Sequence, residues 1–363
     1  MSARQSSQNW PDRRILDLFG IELPIIQAPM AGASTAQMAI EVSEAGGLGS
    51  LPCALMAPDQ ARQAIEIIRQ ATGKPLNLNF FCHTPPRLDE AAIAAWKAKL
   101  APYYAEQKID PAAPVPISNR APFDDAYCSL VEAAKPEVVS FHFGLPAEPL
   151  MKRVKAAGAK VISSATTVAE ARWLEARGVD AIIAMGSEAG GHQGHFLRES
   201  IAGQIGTLAL VPQVVDAVKV PVIATGGIAD GRGIAAVFML GAAAAQVGTA
   251  YLFSPEAQVQ PFHRHALRTA EAEDTALTNL FTGRPARAIA NRLMREIGPL
   301  SDLAPSFPLA GGALMPLRAK SEPAGSSDFS NMWSGQAARL AKELPAGELT
   351  KHLAQEALAK LGR

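Results

Sequence analysis

A chain of 363 residues with 48% hydrophobic and 19% charged residues has the composition of a globular protein with an ample core. Lysine plus arginine and aspartate plus glutamate balance at 34 each, so no net field draws nucleic acid or an anionic membrane, and neither is expected as a partner. Cys53, Cys82 and Cys128 are odd in number, widely spaced and without a Cys-x-x-Cys pair, which argues against a disulfide framework and a cysteine-rich metal site.

Residues 1–9 are polar and lack the apolar run of a signal peptide. The most apolar later stretch, 234–249, is interrupted by Gly241 and is too short to span a bilayer, so a cytoplasmic protein is expected. Along the chain, short apolar runs ending in glycine or polar residues alternate with helical patterns, the signature of βαβ units. Strands are predicted at 24–28, 46–50, 75–81, 138–143, 160–164, 181–185, 220–224 and 243–247. Helices are predicted at 34–45, 58–71, 148–157, 168–177, 208–218 and 232–240. An amphipathic helix at 88–107 and a proline-rich connector at 109–122 fall in a long insertion before the fourth strand.

Eight units predict an α/β protein with a closed (β/α)8 TIM barrel over 14–255, carrying a helical insertion at 87–134. An open doubly wound sheet is disfavoured, because no GxGxxG follows the first strand and the units reach eight. Beyond Ser254 the period breaks. Helices at 261–273 and 286–296 predict a cap subdomain, 256–327, over one barrel mouth. Residues 328–363 are expected to return to the barrel through helices at 334–344 and 345–361, the last packing outside.

In such a barrel, function sits on loops at the C-terminal strand ends. After strand one come Ala28, Pro29, Met30 and Ala31, small or constrained residues against which a flat ring can lie. Gly226 and Gly227 follow strand seven, and Gln246, Gly248 and Thr249 lie at the end of strand eight. Glycines in these two loops let backbone amides approach a phosphate. Ser334-Gly335-Gln336 reads as the start of a short helix with Ser334 as its N-cap, a further anion-favouring end.

The loop after strand six, GSEAGGHQGH (186–195), holds two imidazoles. Metal binding by Glu188, His192 and His195 fits the residue types, but four glycines would leave the ligands poorly organised, and no metal is expected. His192, flanked by glycine, is the better catalytic candidate, whereas His195 reads equally as a turn-capping group. His142 ends strand four on the side of Ser140, either facing a substrate or bonded to a backbone carbonyl. Asn79, an amide inside the apolar third strand, needs polar partners that a ligand's ring edge can supply.

At these residues the sequence resembles the nitronate monooxygenase family, once called 2-nitropropane dioxygenases, with the bacterial class I members as the nearest match. The resemblance runs from PIIQAPMAG (24–32) through Ser334-Gly335-Gln336, and GSEAGGHQG (186–194) is its most specific piece. It implies an FMN flavoenzyme that oxidises a nitronate, such as propionate-3-nitronate, with O2 to a carbonyl compound and nitrite. By the same resemblance 28–31 contact the isoalloxazine, Asn79 its polar edge or the ribityl chain, and Gly190 lies beside the flavin. Gly226, Gly227, Gln246, Gly248 and Thr249 hold the phosphate with Ser334 to Gln336 nearby, and His192 matches the catalytic histidine. His142 and Lys320, within PLRAK (316–320), are expected on the substrate side. Met185 stands where relatives often carry a flavin-bonding glutamine, and it cannot donate that bond. The expected partners are a small nitronate or nitroalkane and O2, with a homodimer left open as the assembly state. Two other functions compete: an NAD(P)H-dependent flavin reductase of quinones or enoyl thioesters, and a non-catalytic barrel that binds a phosphate ligand or flavin.

Overall fold

The computed structural model describes residues 9–363 apart from 117, 119 and 199. Its strands in chain order are β1 (Ile25–Gln27), β2 (Gly49–Pro52), β3 (Leu76–Phe81), β4 (Val138–His142), β5 (Lys160–Ala165) and β6 (Ala181–Met185). Next come the two-residue β7 (Gly191–His192), then β8 (Val222–Thr225), β9 (Ala244–Val247), β10 (Thr275–Thr278) and β11 (Ala286–Ile289). One parallel sheet runs β1-β9-β8-β6-β5-β4-β3-β2. It closes through Ile26 and Leu48: Gln27 N–H donates to the Leu48 carbonyl at 3.0 Å, and Leu48 N–H to that of Ile25 at 2.9 Å. The result is the closed eight-stranded barrel expected from the sequence. Strands such as β6, AIIAM, are buried along their whole length, because a barrel strand meets side chains inside and helices outside.

The surrounding helices follow their caps. Thr35 accepts the Met38 N–H at 3.1 Å and opens Ala36–Glu44. Asp230 accepts N–H groups from Arg232 at 3.0 Å and Gly233 at 3.2 Å and opens Gly231–Met239. The helix Pro58–Ala71 buries Ala61, Ile65 and Ile68, one stripe at helical spacing, with Pro58 in its first turn. The C-terminal helix Ala346–Lys360 packs outside the barrel, where Glu356 accepts the Gly231 N–H at 2.8 Å and Thr350 meets the Tyr251 hydroxyl at 2.7 Å. No helix among the described residues is long and apolar enough to cross a membrane.

Three expected elements upstream of Ser334 differ. The second strand begins at Gly49 rather than 46, because Gly46, at φ 96°, and Gly47 form the turn that enters it. The helix expected at 88–107 is two helices, Glu90–Lys99 and Ala101–Glu106, broken at Leu100 ahead of Pro102. The helix expected at 286–296 is β11 followed by Arg292–Ile297, with Asn291 as the cap that separates them. β10, β11 and β7 form a three-stranded antiparallel sheet over the barrel mouth.

A second core lies above that mouth. Trp96, Leu100, Tyr103 and Tyr104 of the insertion pack with Leu280, Phe281, Leu293, Leu314, Leu317 and Phe329. The Trp96 indole donates to the Ala310 carbonyl at 3.0 Å and the Tyr104 hydroxyl to that of Ala313 at 2.7 Å. Full burial of each such side chain stabilises the fold by about 1.5–3 kcal/mol, so the insertion and the later segment hold each other.

Candidate active site

The strand ends and the small sheet enclose a cavity of about 620 Å³, within the size range of cofactor and substrate sites. Ala28, Pro29, Met30, Ala31, Asn79, His142, Gly190, His192, Gly226, Gly227, Gln246, Gly248, Thr249 and Gly335 all line it. Three residues expected to bind cofactor or substrate do not. Lys320 is exposed, and Arg318, two positions earlier, faces the cavity instead. On a helix two residues are about 200° apart, so both cannot point the same way. Ser334 and Gln336 also lie outside the lining. No helix starts at Ser334: only the 3₁₀ turn Ala338–Leu340 follows, and the Ser334 hydroxyl donates to the Gly335 carbonyl at 3.0 Å.

The loop after β1 is held from beneath. Gln27 donates to the Ser34 hydroxyl oxygen at 2.8 Å, which in turn accepts the Met30 N–H at 3.1 Å. At the floor, Asn79 donates to the Ser140 hydroxyl and carbonyl at 3.0 and 3.2 Å. Glu188 is engaged by protein: both its oxygens accept the Thr207 N–H at 2.9 Å, and one accepts the Thr207 hydroxyl at 2.9 Å. Its task is to fix the start of Thr207–Ala217 under the 186–195 loop. Among the described residues no group of three or more His, Cys, Asp or Glu side chains is placed to hold a metal ion.

That loop is not free. Gly191 and His192 pair with Arg287 and Ala286 of β11, which fixes where the His192 ring points. The ring stands among Phe81, Phe143, Phe307 and Trp333, with centroids 6.2, 6.0, 5.3 and 5.4 Å away. Phe143 reaches this position through a left-handed backbone at φ 70°, uncommon for a bulky residue. The His192 Nε2 meets the Thr282 hydroxyl at 2.9 Å. Burial, and then the charge of Arg120, hold its pKa well below the ordinary value, so the imidazole is neutral at neutral pH.

His142 is the support beneath it. Its Nε2–H donates to the His192 carbonyl at 3.1 Å, which leaves Nδ1 to accept the Ser164 hydroxyl at 2.7 Å. Both nitrogens are therefore engaged by protein although the ring borders the cavity. Burial pushes this histidine down to about 4. His195 is buried outside the cavity lining, and its carbonyl accepts from Arg284. Met185 and Thr225 also line the cavity, side by side on β6 and β8. Two lining residues absent from the sequence-derived set are Arg120, from the proline-rich connector, and Trp333, bridged to Ala288.

The histidines make a prediction for stability. His83, His142, His195 and His263 are each pushed down to about 4, foremost by burial. In the unfolded chain they titrate near 6.5 and so bind more protons than the native state between those values. Their neutral native form therefore costs nothing above about pH 6.5, and stability falls as pH drops from there towards about 4. Calorimetry should show Tm declining steadily between about pH 7 and pH 5. A flat Tm over that window would mean that these rings titrate as they do in solvent.

A closed barrel with neutral histidines and guanidinium groups around one cavity at its strand ends is the architecture of a small-molecule enzyme. Residues 12–356 match the family model described as nitronate monooxygenase, and the chain belongs to that family of oxidoreductases. It is 42% identical over 346 residues to a nitronate monooxygenase of Paraburkholderia phytofirmans, covering 95% of this chain and 94% of that one. The structure of a nitroalkane oxidase from Streptomyces ansochromogenes is similar with TM-score 0.86 and 40% identity, over 96% of this chain and 99% of that one. FabK from Thermotoga maritima is also similar, with TM-score 0.72 and 30% identity, over 96% and 97% of the two chains.

Proposed function

We propose that this protein oxidises alkyl nitronates such as propionate-3-nitronate, with FMN bound across the barrel mouth and O2 as oxidant, to a carbonyl compound and nitrite. Family membership supports the nitronate, and the polar lining of the cavity supports the flavin. Gly226 and Gly227 are held at φ 107° and 69°, and with Gly248 they make no backbone N–H hydrogen bond to another described residue. Free amides on glycines at the mouth suit a phosphate. The buried Gln246 Oε1 has no hydrogen-bond partner among the described residues, and a ligand's N–H or hydroxyl would satisfy it. In this reading 28–31 pack against the ring, Asn79 and Gln246 meet its polar groups, and the glycine loops with Thr249 hold the phosphate. Gly190 and Gly335 close the cavity from the side. A bound FMN would supply the redox chemistry between the substrate and O2.

The chain's own residues do the rest. With the Thr282 hydroxyl directed at the Arg284 carbonyl, 3.3 Å away, His192 Nε2–H donates to Thr282 and Nδ1 carries the basic lone pair. His192 then takes the α-proton of a neutral nitroalkane or accepts a hydrogen bond, while its aromatic surround excludes water. The observation that carries this reading is the neutral imidazole of His192 in the same cavity as the open glycine amides. Purified protein should be yellow, release FMN on denaturation and form nitrite from propionate-3-nitronate in air. Release of FAD, or failure to take up any flavin, would overturn the assignment of the mouth.

A further inference from the structure

A nitronate carries a full negative charge, and the neutral imidazole of His192 cannot balance it. Three guanidinium groups stand in or beside the cavity: Arg120 and Arg318 line it, and Arg284 and Arg120 both act on the His192 ring. Arg318 is already paired with Glu322 at 2.7 Å. Arg284 lies 4.0 Å over the Phe143 ring, donates to the His195 carbonyl and is outside the cavity lining. Arg120 is different. It lines the cavity, its guanidinium lies 5.9 Å from the Phe307 centroid, and among the described residues no carboxylate pairs with it. Burial is the first influence on Arg120 and the charge of Arg318 the second, and both lower its pKa. A guanidinium nevertheless stays charged at neutral pH. A half-buried cation without a partner is costly, and a bound anion removes that cost.

We propose that Arg120 is the substrate-binding cation of this cavity, its guanidinium fork holding a planar oxyanion of the substrate beside His192. The oxyanion is either the nitronate head or a carboxylate at the other end of the molecule. Both match the fork, which a lysine ammonium does not. The inference rests on the proposed oxidation for its substrates, yet it makes a claim about anion binding that stands apart from turnover. Arg120, rather than the exposed Lys320 that the resemblance suggests, then supplies the cation on the substrate side.

Isothermal titration of the flavin-loaded protein with nitrate, a planar anion that is not consumed, tests the site directly. Arg120→Met should weaken nitrate about tenfold or more, the range for a charge-assisted hydrogen bond, and Arg120→Lys should recover part of it. Parental thermal unfolding and FMN content in Arg120→Lys keep a folding defect separate. Steady-state kinetics then divide the two sources. A raised KM for ethyl nitronate, with 3-nitropropionate unchanged, places the nitronate head at Arg120; the reverse places a carboxylate there. Parent protein that ignores nitrate, or Arg120→Met that binds nitrate as the parent does, overturns the proposal. If no nitronate is consumed at all while Arg120→Met still loses nitrate, the anion site stands and the oxidation reading fails.

Discussion

Replacing His192 by asparagine should leave FMN bound and cooperative unfolding intact, yet lower turnover of neutral nitroalkanes by about a hundredfold or more. Asparagine keeps a polar amide of smaller size but falls short of the Nε2 position that meets Thr282 at 2.9 Å, and it has no basic nitrogen. The β7–β11 pairing that places residue 192 is made by backbone, so the substitution does not remove it. Preformed nitronates need no proton removed, and their loss should be much smaller. Equal losses on both substrates would assign His192 to binding instead. Parental rates on both would make it a structural residue whose place is only to fill the space among Phe81, Phe143, Phe307 and Trp333.

Gly190→Ala should destabilise the fold and loosen the cavity together. A Cβ there would lie 2.5 Å from the Gly335 nitrogen and 2.6 Å from the Ser334 carbonyl carbon. These are backbone atoms, so no rotamer can relieve the contact, and the 186–195 loop must part from the 334–335 segment. The same approach is seen from the other side, where a Cβ on Gly335 would fall 2.8 Å from the Glu188 carbonyl. Overpacking of this kind costs about 1–3 kcal/mol. Because both glycines line the cavity, FMN retention should drop with stability. Denaturant titration and flavin content together check this. Gly190→Ala protein that matches the parent in both would show that the two segments are not locked together.

The barrel was legible because its strands are short apolar runs that follow one rule eight times over, and each loop at the mouth could be read from its strand. That is why 28–31, Asn79, Gly190, Gly226, Gly227, Gln246, Gly248 and Thr249 were found at one cavity from sequence alone. What escaped depends on contacts between distant segments. β11 is a four-residue run, ARAI, that looks helical beside Arg292–Ile297, and its strand partners are Thr275–Thr278 and a two-residue piece some hundred positions earlier. Arg120 sits in a proline-rich connector with no period to place it, and its approach to Phe307 joins segments far apart in the chain. Lys320 and Arg318 carry the same charge in the same helix, and only the helix's rotation against the barrel decides which one enters. Ser334 has the right side chain for a cap, but the chain after it does not coil into a helix.

Anaerobic absorbance spectra of the holoprotein decide whether this cavity oxidises nitronates through a bound flavin. Mixed without oxygen, propionate-3-nitronate should lower the flavin's visible absorbance, and admitting air should restore the oxidised spectrum as nitrite appears. NADPH under the same conditions should leave the flavin oxidised. Bleaching by NADPH together with an unchanged spectrum in propionate-3-nitronate would rule out nitronate oxidation here and make the protein a nicotinamide-dependent flavin reductase.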